Sequence, residues 1–431
     1  MTQPFTLVIF GVTSNLAQKY LLPALYDLED KGLLPDGSHI IGIARSPQKE
    51  GWIQEHLHQI LHKENLHHKH EIKDQIKELL FTRLHYLDGH LDNPDFYQKL
   101  KIKLDGLNSQ NIIFYLATYP DLYQPIFENL KLSGLSNLAD GFVRLMIEKP
   151  FGSNLKTAKQ LNKTLHQYFK EEQIYRLDHY LGKEALRDIL SFRFGSSSVE
   201  SIINKDHIDH IQVSATENFG VGERGAFYDK VGALKDVGQN HLLQMLTAAT
   251  MEKPITFTNE EVTKERVKIL KKLLPQKENI IFGQYEDYTA EKNISPDSLT
   301  ETFFALKTFI NNDRYQNVPI YLRAGKKLAQ TLTEVTIVFK DKKNQPLRYH
   351  VHSQRDNFLV QDPYEALILD AIRGDQTYFN DVQEVEAQWA FTDPLSAESE
   401  KGIPVIYQPG SWGPQEADEL IEQDGRHWIN F

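Results

Sequence analysis

The sequence predicts an α/β domain joined to an α+β domain. Residues 1–176 read as a Rossmann-like coenzyme-binding domain. Residues 177–431 read as an α+β domain with a largely antiparallel sheet. Three observations support this division. Short apolar runs rich in β-formers recur through the N-terminal part, among segments of helical period. The first of them runs through a glycine into a helical pattern. Beyond Gly182 the texture changes, and alternating strands such as His210–Ala215 and Glu334–Phe339 mix with helices.

Length and composition agree. A chain of 431 residues has room for two domains and a large core. Its 40% apolar and 25% charged residues fit a soluble globular enzyme rather than a disordered or fibrous chain. No apolar run is long enough to span a bilayer, so no membrane partner is expected. Met1–Phe10 lacks a basic segment ahead of an apolar one, so no signal peptide is expected and the protein reads as cytoplasmic. The absence of cysteine excludes disulfides, thiolate catalysis and zinc-thiolate sites, and suits a reducing compartment. A net charge of -11 argues against nucleic acid as a partner. An acidic chain that binds an anion must concentrate its positive charge in a site.

The first strand is Phe5–Phe10, followed by Gly11, by Thr13, Ser14 and Asn15, and by a helical pattern from Leu16 through Leu28. Strand, tight turn and helix begin a dinucleotide-binding unit, whose helix N-terminus offers free N–H groups to a pyrophosphate. The full G-x-G-x-x-G spacing is absent, so the signal is weak on its own. Ser14 and Asn15 are also good helix-capping residues. His39–Ala44 reads as the next parallel strand, with Arg45 and Ser46 at its C-terminal end. An arginine there suits the 2′-phosphate of NADP, where NAD enzymes tend to place an acidic residue. Trp52–Leu80 has a helical pattern rich in histidine: His56, His58, His62, His67, His68 and His70. His58 and His62 have metal-ligand spacing, but no carboxylate frame surrounds them, and a polar helix face is the preferred reading. Asn111–Ala117 is another buried strand, with Pro120 in the turn beyond it. Val143–Ile147 is a strand followed by Glu148-Lys149-Pro150-Phe151-Gly152, and Leu155–Phe169 closes the domain as a helix. Lys149 at the strand's C-terminal edge faces the crevice where open α/β sheets bind ligands.

Tyr175-Arg176-Leu177-Asp178-His179-Tyr180-Leu181-Gly182-Lys183-Glu184 places a carboxylate, an imidazole, a phenol and an ammonium within six positions. If the stretch is helical, His179 and Lys183 share a face suited to an anion, and Asp178 points about 100° away. By composition alone a solvated charged helix is the better reading. Further on, Lys235-Asp236-Val237-Gly238-Gln239-Asn240-His241 places polar residues in an otherwise apolar helix, costly without partners and more often structural than catalytic.

These segments together resemble the glucose-6-phosphate dehydrogenase family. The decapeptide from Tyr175 is close to its signature, which usually has isoleucine at Leu177. Glu148–Gly152 matches its E-K-P-F-G. Glu217-Asn218-Phe219-Gly220 with Tyr228 and Asp229, the Asp236–His241 segment, and Arg323-Ala324-Gly325-Lys326 match further motifs. The phosphate loop matches at Gly11, Thr13, Leu16 and Ala17 but has Ser14 for glycine and Asn15 for aspartate. A Cβ at position 14 can crowd the backbone's approach to phosphates. The family has a basic residue at the position of Thr331. Several dozen family residues are missing between Gln354–Asn357 and Pro363–Glu365, where the family has sheet strands, a substrate-contacting glutamine and surface used for a homodimer.

The resemblance implies oxidation of glucose 6-phosphate at C1 to 6-phosphoglucono-1,5-lactone with NADP, NAD being the other candidate coenzyme, as the first step of the oxidative pentose phosphate pathway. It assigns His241 as general base, oriented by Asp178. A neutral imidazole suits removal of the C1 hydroxyl proton as hydride leaves carbon. It gives the 6-phosphate to His179, Tyr180 and Lys183, and the sugar hydroxyls to Lys149, Glu217, Asp236 and Lys326. The coenzyme falls to Gly11, Thr13, Ser14, Asn15, Leu16, Arg45, Ser46, Pro120 and Lys149, and no metal is required. It also implies a cis bond between Lys149 and Pro150. Two alternatives stand beside this: a catalytically weak or silent relative that binds sugar phosphate or coenzyme, and an NAD-preferring hexose-phosphate dehydrogenase.

Overall fold

The computed structural model describes residues 3–62, 72–352 and 362–430. The chain divides into two compact units. The first collects 1–152, 159–182 and 361–382, and the second 153–158, 183–360 and 383–431. A single cut after residue 176 does not describe this, because the chain returns to the first unit near its end. The helix Pro363–Arg373 explains the return. Its apolar residues Leu367, Ile368 and Ala371 are buried in the first unit's core. The Arg144 side chain donates to its last carbonyls, Ala371 at 2.7 Å and Ile372 at 2.8 Å.

The first unit is built on a six-stranded parallel sheet. Its strands are β1 (Thr6–Phe10), β2 (His39–Ala44), β3 (Leu84–Asp88), β4 (Asn111–Leu116), β5 (Phe142–Glu148) and β6 (Ile174–Leu177), in the order β3-β2-β1-β4-β5-β6. Residues Leu7 to Phe10 of β1 are all buried, as expected of a strand covered on both faces. Val8 pairs with Ile41 on one side and with Phe114 on the other. Strand order reverses at β1, which opens a crevice beyond the C-terminal ends of β1 and β4.

Two helical expectations change. The pattern from Leu16 to Leu28 is a π-helical turn, Ala17–Leu21, running into an α-helix, Leu22–Asp30. Pro23 has no N–H to return to Lys19, and the wide turn lies on its N-terminal side. Of the stretch read as helical over Trp52–Leu80, the described residues form the helix Trp52–Leu61 and most of the helix Asp74–Arg83. His56 and His58 lie in the first and His62 caps it, with His58 and His62 rings 4.2 Å apart. His67, His68 and His70 lie outside the described residues, as do 353–361, where the sequence leads one to expect a gap relative to the family.

The second unit holds a seven-stranded mixed sheet. It comprises β7 (Ile208–Thr216), β8 (Ile280–Tyr285), β9 (Phe303–Thr308), β10 (Ile320–Gly325), β11 (Leu332–Phe339), β12 (Leu347–His352) and β13 (Val405–Tyr407). Their order is β12-β11-β7-β10-β9-β8-β13. Most pairs are antiparallel, but β7 with β10 and β8 with β13 are parallel. The parallel β7–β10 pair ends Glu217 and Lys326 side by side. Among the described residues no helix is long and apolar enough to cross a membrane.

Ile113 in β4 is 1% exposed at the centre of the first unit's core. Ile113→Ala should cost about 2–5 kcal/mol, read as a lower urea midpoint for the first unit. An unchanged midpoint would show that the site collapses around the deletion.

Candidate active site

In the first unit the coenzyme candidates leave one edge of the sheet. Gly11 follows β1 with φ +93°, and a Cβ there would lie 2.6 Å from the carbonyl oxygen of Ala117. Only glycine fits both the backbone conformation and this approach. The Gly11 and Val12 N–H groups both donate to the Ile43 carbonyl at 3.0 Å, which fastens the turn to β2. Ser14 acts as a cap: its Oγ accepts from the Ala17 N–H at 3.1 Å. Thr13 and Asn15 are exposed, and Leu16 packs against the core. Arg45 and Ser46 follow β2 and are exposed, with the Tyr86 hydroxyl donating to the Ser46 carbonyl at 2.5 Å. Pro120 opens a 3₁₀ turn beyond β4. Gly11–Leu16, Arg45–Ser46 and Pro120 thus lie beyond the ends of three adjacent strands, β2, β1 and β4. A tight glycine turn, a capped helix start and an exposed arginine fit a nicotinamide dinucleotide.

Beyond β5 and β6 lies a second group. Lys149 follows Glu148 at the end of β5, and the Lys149–Pro150 peptide is cis. Asp178 is 1% exposed, just past β6. Its carboxylate accepts from the Tyr180 N–H at 2.9 Å and its carbonyl from the Leu181 N–H at 2.9 Å, which starts the short helix His179–Gly182. The decapeptide is therefore not one helix. Its first half pairs as β6, and Lys183 is extended and precedes a separate helix, Glu184–Gly195. His179 and Lys183 do not share a face by α-helical spacing. The His179 ring lies parallel to the Tyr364 ring, with centroids 6.3 Å apart.

Glu148 was not singled out from the sequence by its charge. The Tyr115 hydroxyl donates to its carboxylate at 2.5 Å. Burial pushes the carboxyl up to about 7; the Asp178 charge acts in the same sense, while the Tyr115 bond and Lys149 oppose it. The available signal was a carboxylate ending a strand that is otherwise apolar but for Arg144.

In the second unit, the Glu217 N–H donates to the Gly325 carbonyl at 2.9 Å, and the Lys326 ammonium forms an ion pair with the Glu217 carboxylate. The ammonium also lies 5.1 Å from the centre of the Tyr228 ring. Asp236 and His241 are both buried on the π-helix Leu234–Leu242. On an α-helix, residues five apart point about 140° from each other. The wider i→i+5 turn brings them nearer one face. Asp236 accepts from the Arg224 guanidinium at 3.1 Å. Glu217, Phe219, Arg224, Tyr228, Glu291 and Lys326 line much of a cavity of about 400 Å³. Its mixture of ammonium, guanidinium and carboxylates offers donors and acceptors to a polyhydroxylated ligand. Arg224 and Glu291 were missed from the sequence, because their roles come from tertiary pairing. Thr331 accepts from the Asn218 N–H at 3.2 Å and donates to the Asn218 side-chain oxygen at 2.9 Å.

Comparison with known proteins matches residues 8–188 to the glucose-6-phosphate dehydrogenase NAD binding domain, and residues 190–361 and 344–429 to the glucose-6-phosphate dehydrogenase C-terminal domain. The chain belongs to the glucose-6-phosphate dehydrogenase family. A glucose-6-phosphate 1-dehydrogenase of Chlamydia muridarum is 36% identical over 494 residues, covering 99% of this chain and 97% of the relative. One of Bacillus subtilis is 34% identical over 488 residues, covering 99% and 98%. These alignments are longer than the chain, so both relatives contain stretches it lacks. The crystal structure of the Mycobacterium avium glucose-6-phosphate 1-dehydrogenase is 30% identical with a TM-score of 0.89, covering 100% of both chains. A glucose-6-phosphate dehydrogenase solved in complex with glucose 6-phosphate is 30% identical with a TM-score of 0.91, again covering 100% of both.

The raised Glu148 carboxyl makes stability depend on pH. The folded protein keeps this proton up to about pH 7, whereas an ordinary glutamate loses it near 4.5. Stability therefore falls as pH rises through that window and levels off above it. Glu148→Gln removes this contribution. Its melting temperature relative to the unmodified protein should rise from pH 4.5 to 7 and then stay constant; a difference that does not vary with pH would refute the shift.

Proposed function

We propose that the protein oxidises glucose 6-phosphate at C1 to 6-phosphoglucono-1,5-lactone, with NADP preferred over NAD, as the first step of the oxidative pentose phosphate pathway. What supports the reading best is membership of the family along the whole chain, with the base, its orienter and every proposed sugar contact present. His241 takes the proton of the C1 hydroxyl on a ring nitrogen, and Asp178 stabilises the imidazolium that results. His179, Tyr180 and Lys183 neutralise and orient the 6-phosphate. Lys149, Glu217, Asp236 and Lys326 bind the sugar hydroxyls and fix C1. Gly11, Thr13, Ser14, Asn15, Leu16, Ser46, Pro120 and Lys149 would hold the coenzyme, with Arg45 at its 2′-phosphate. The bound nicotinamide supplies the hydride acceptor. The cytoplasm is the proposed setting, supported by a cysteine-free sequence, and a homodimer is the proposed assembly.

The test is the initial rate of nicotinamide reduction by the pure protein with glucose 6-phosphate and either coenzyme. Turnover should be faster with NADP. His241→Asn should lower kcat by about 10²–10⁴-fold. Arg45→Ala should raise the KM for NADP by about tenfold while leaving that for NAD nearly unchanged. An unmoved NADP KM would remove Arg45 from the 2′-phosphate. No turnover by folded protein would favour a silent binder of sugar phosphate or coenzyme.

A further inference from the structure

The helix that carries Asp236 and His241 begins in the protein interior, where its first N–H groups need partners. Two of the N–H groups at its start go to one residue. The Ala233 N–H donates to the Glu301 carbonyl at 3.1 Å, and the Leu234 N–H donates to the Glu301 carboxylate at 3.3 Å. Glu301 is 7% exposed, so this carboxylate is an interior group rather than a surface one. Gly232, two residues before the helix, has φ +75°, and a Cβ there would lie 2.3–2.4 Å from the carboxylate atoms of Glu301. The glycine leaves the space through which the carboxylate reaches the helix end.

The next residue ties the same point to the sugar-binding turn. The Thr302 carbonyl accepts from the Lys326 N–H at 3.0 Å. The Thr302 hydroxyl lies 3.0 Å from the Tyr407 hydroxyl, which donates to the Lys326 carbonyl at 2.6 Å. Glu301 and Thr302 therefore join two elements that are distant in sequence: the start of the Asp236–His241 helix and the turn that presents Lys326.

We propose that Glu301 is a positioning residue for this reaction: its ionised carboxylate caps the helix of Asp236 and His241 and, with Thr302, sets that helix against the Lys326 turn. The inference rests on the proposed function, in which His241 is the base and Asp236 and Lys326 bind the sugar. An anion at a helix N-terminus is favoured by the aligned peptide dipoles. Burial opposes the charge and pushes the carboxyl up to about 7; Glu400 acts in the same sense, and the Leu234 N–H and Lys235 against it. The Glu301 charge also acts on the Tyr228 and Tyr288 hydroxyls, raising both. The cap is then complete only above neutral pH and weakens as Glu301 takes up its proton.

The experiment compares the unmodified protein with Glu301→Gln and Glu301→Asp. Glu301→Gln keeps an acceptor and removes the charge. It should lower kcat about tenfold and leave the KM for NADP unchanged. The acid limb of log kcat/KM for glucose 6-phosphate should fall further in the unmodified protein than in Glu301→Gln, by about tenfold in all as pH drops through 7, because the glutamine stands in for the protonated carboxyl. Glu301→Asp, which keeps the charge, should recover part of kcat. The melting temperature of Glu301→Gln at pH 8 should not fall, since a costly buried charge has been removed. Unchanged kcat and an unchanged acid limb overturn the proposal, as does a lost kcat matched by a lower melting temperature at pH 8. Hydrogen exchange over residues 233–242 gives a readout that does not need turnover. It should be faster in Glu301→Gln, and unchanged exchange refutes the cap even if the sugar is not oxidised at all.

Discussion

The π-helical stretch from Leu234 to Leu242 is the constraint on which the chemistry proposed for the second unit depends. It buries an aspartate, a glutamine and a histidine in one segment. Such groups are tolerated in an interior only where backbone and side chains around them supply hydrogen bonds. The stretch lies close to the sheet: a Cβ at Gly238 would lie 2.7 Å from the Phe304 ring. Its start is fastened to Glu301, and Asp236 is paired with Arg224. A wide turn is poor helix geometry and persists where its surroundings over-determine it. Here those surroundings are a strand beneath, a carboxylate at one end and a guanidinium at the side.

The first unit solves a different problem with the same economy of means. The edge proposed to hold the coenzyme is made by turns that leave parallel strands; backbone bonds fasten the Gly11 turn, and the Tyr86 hydroxyl fastens Ser46. One carbonyl, that of Ile43, accepts both N–H groups of the Gly11–Val12 turn. Asp178 uses its carboxylate and its carbonyl to start the helix of His179 and Tyr180, so the residue proposed as orienter is itself fixed by two local bonds. The chain needs the late helix Pro363–Arg373 to finish this unit, since that helix brings Tyr364 beside the His179 ring.

What was legible in the sequence follows from the range of the forces involved. The strand His39–Ala44 has the bounds expected of it, because a continuous apolar run between polar residues has one good solution in a parallel sheet. The Val143–Ile147 strand extends by one residue at each end, into Phe142 and Glu148, where polarity no longer marks the boundary. The decapeptide misleads because i, i+4 spacing of His179 and Lys183 also arises when a strand, a four-residue helix and an extended residue follow one another. Local period cannot separate the two; pairing of β6 with β5 does. The return of 361–382 to the first unit, and the pairing of Arg224 with Asp236, are long-range facts that no local pattern encodes. The motif residues in each unit could be gathered from the sequence, but not the groups that hold them, Tyr115 and Glu301.

Position 331 shows how a change of charge can coincide with a gain of order. The resemblance places a basic side chain there, and this chain has threonine. Its hydroxyl both accepts from the Asn218 backbone and donates to the Asn218 side chain, closing the segment after Glu217 onto the start of β11. Glu217 is thereby fixed on one side by this clasp and on the other by its ion pair with Lys326. A lysine or arginine at 331 has no acceptor for the Asn218 N–H and would lose that bond. The cavity keeps Arg224 and Lys326 as its cations, and each already faces a carboxylate. An anionic ligand there meets nearly balanced charge, so recognition in this half of the site depends on the directions of donors and acceptors more than on net attraction. Directional recognition suits hydroxyl groups better than a phosphate, which agrees with assigning the sugar ring to Glu217, Asp236 and Lys326 and the phosphate to other residues.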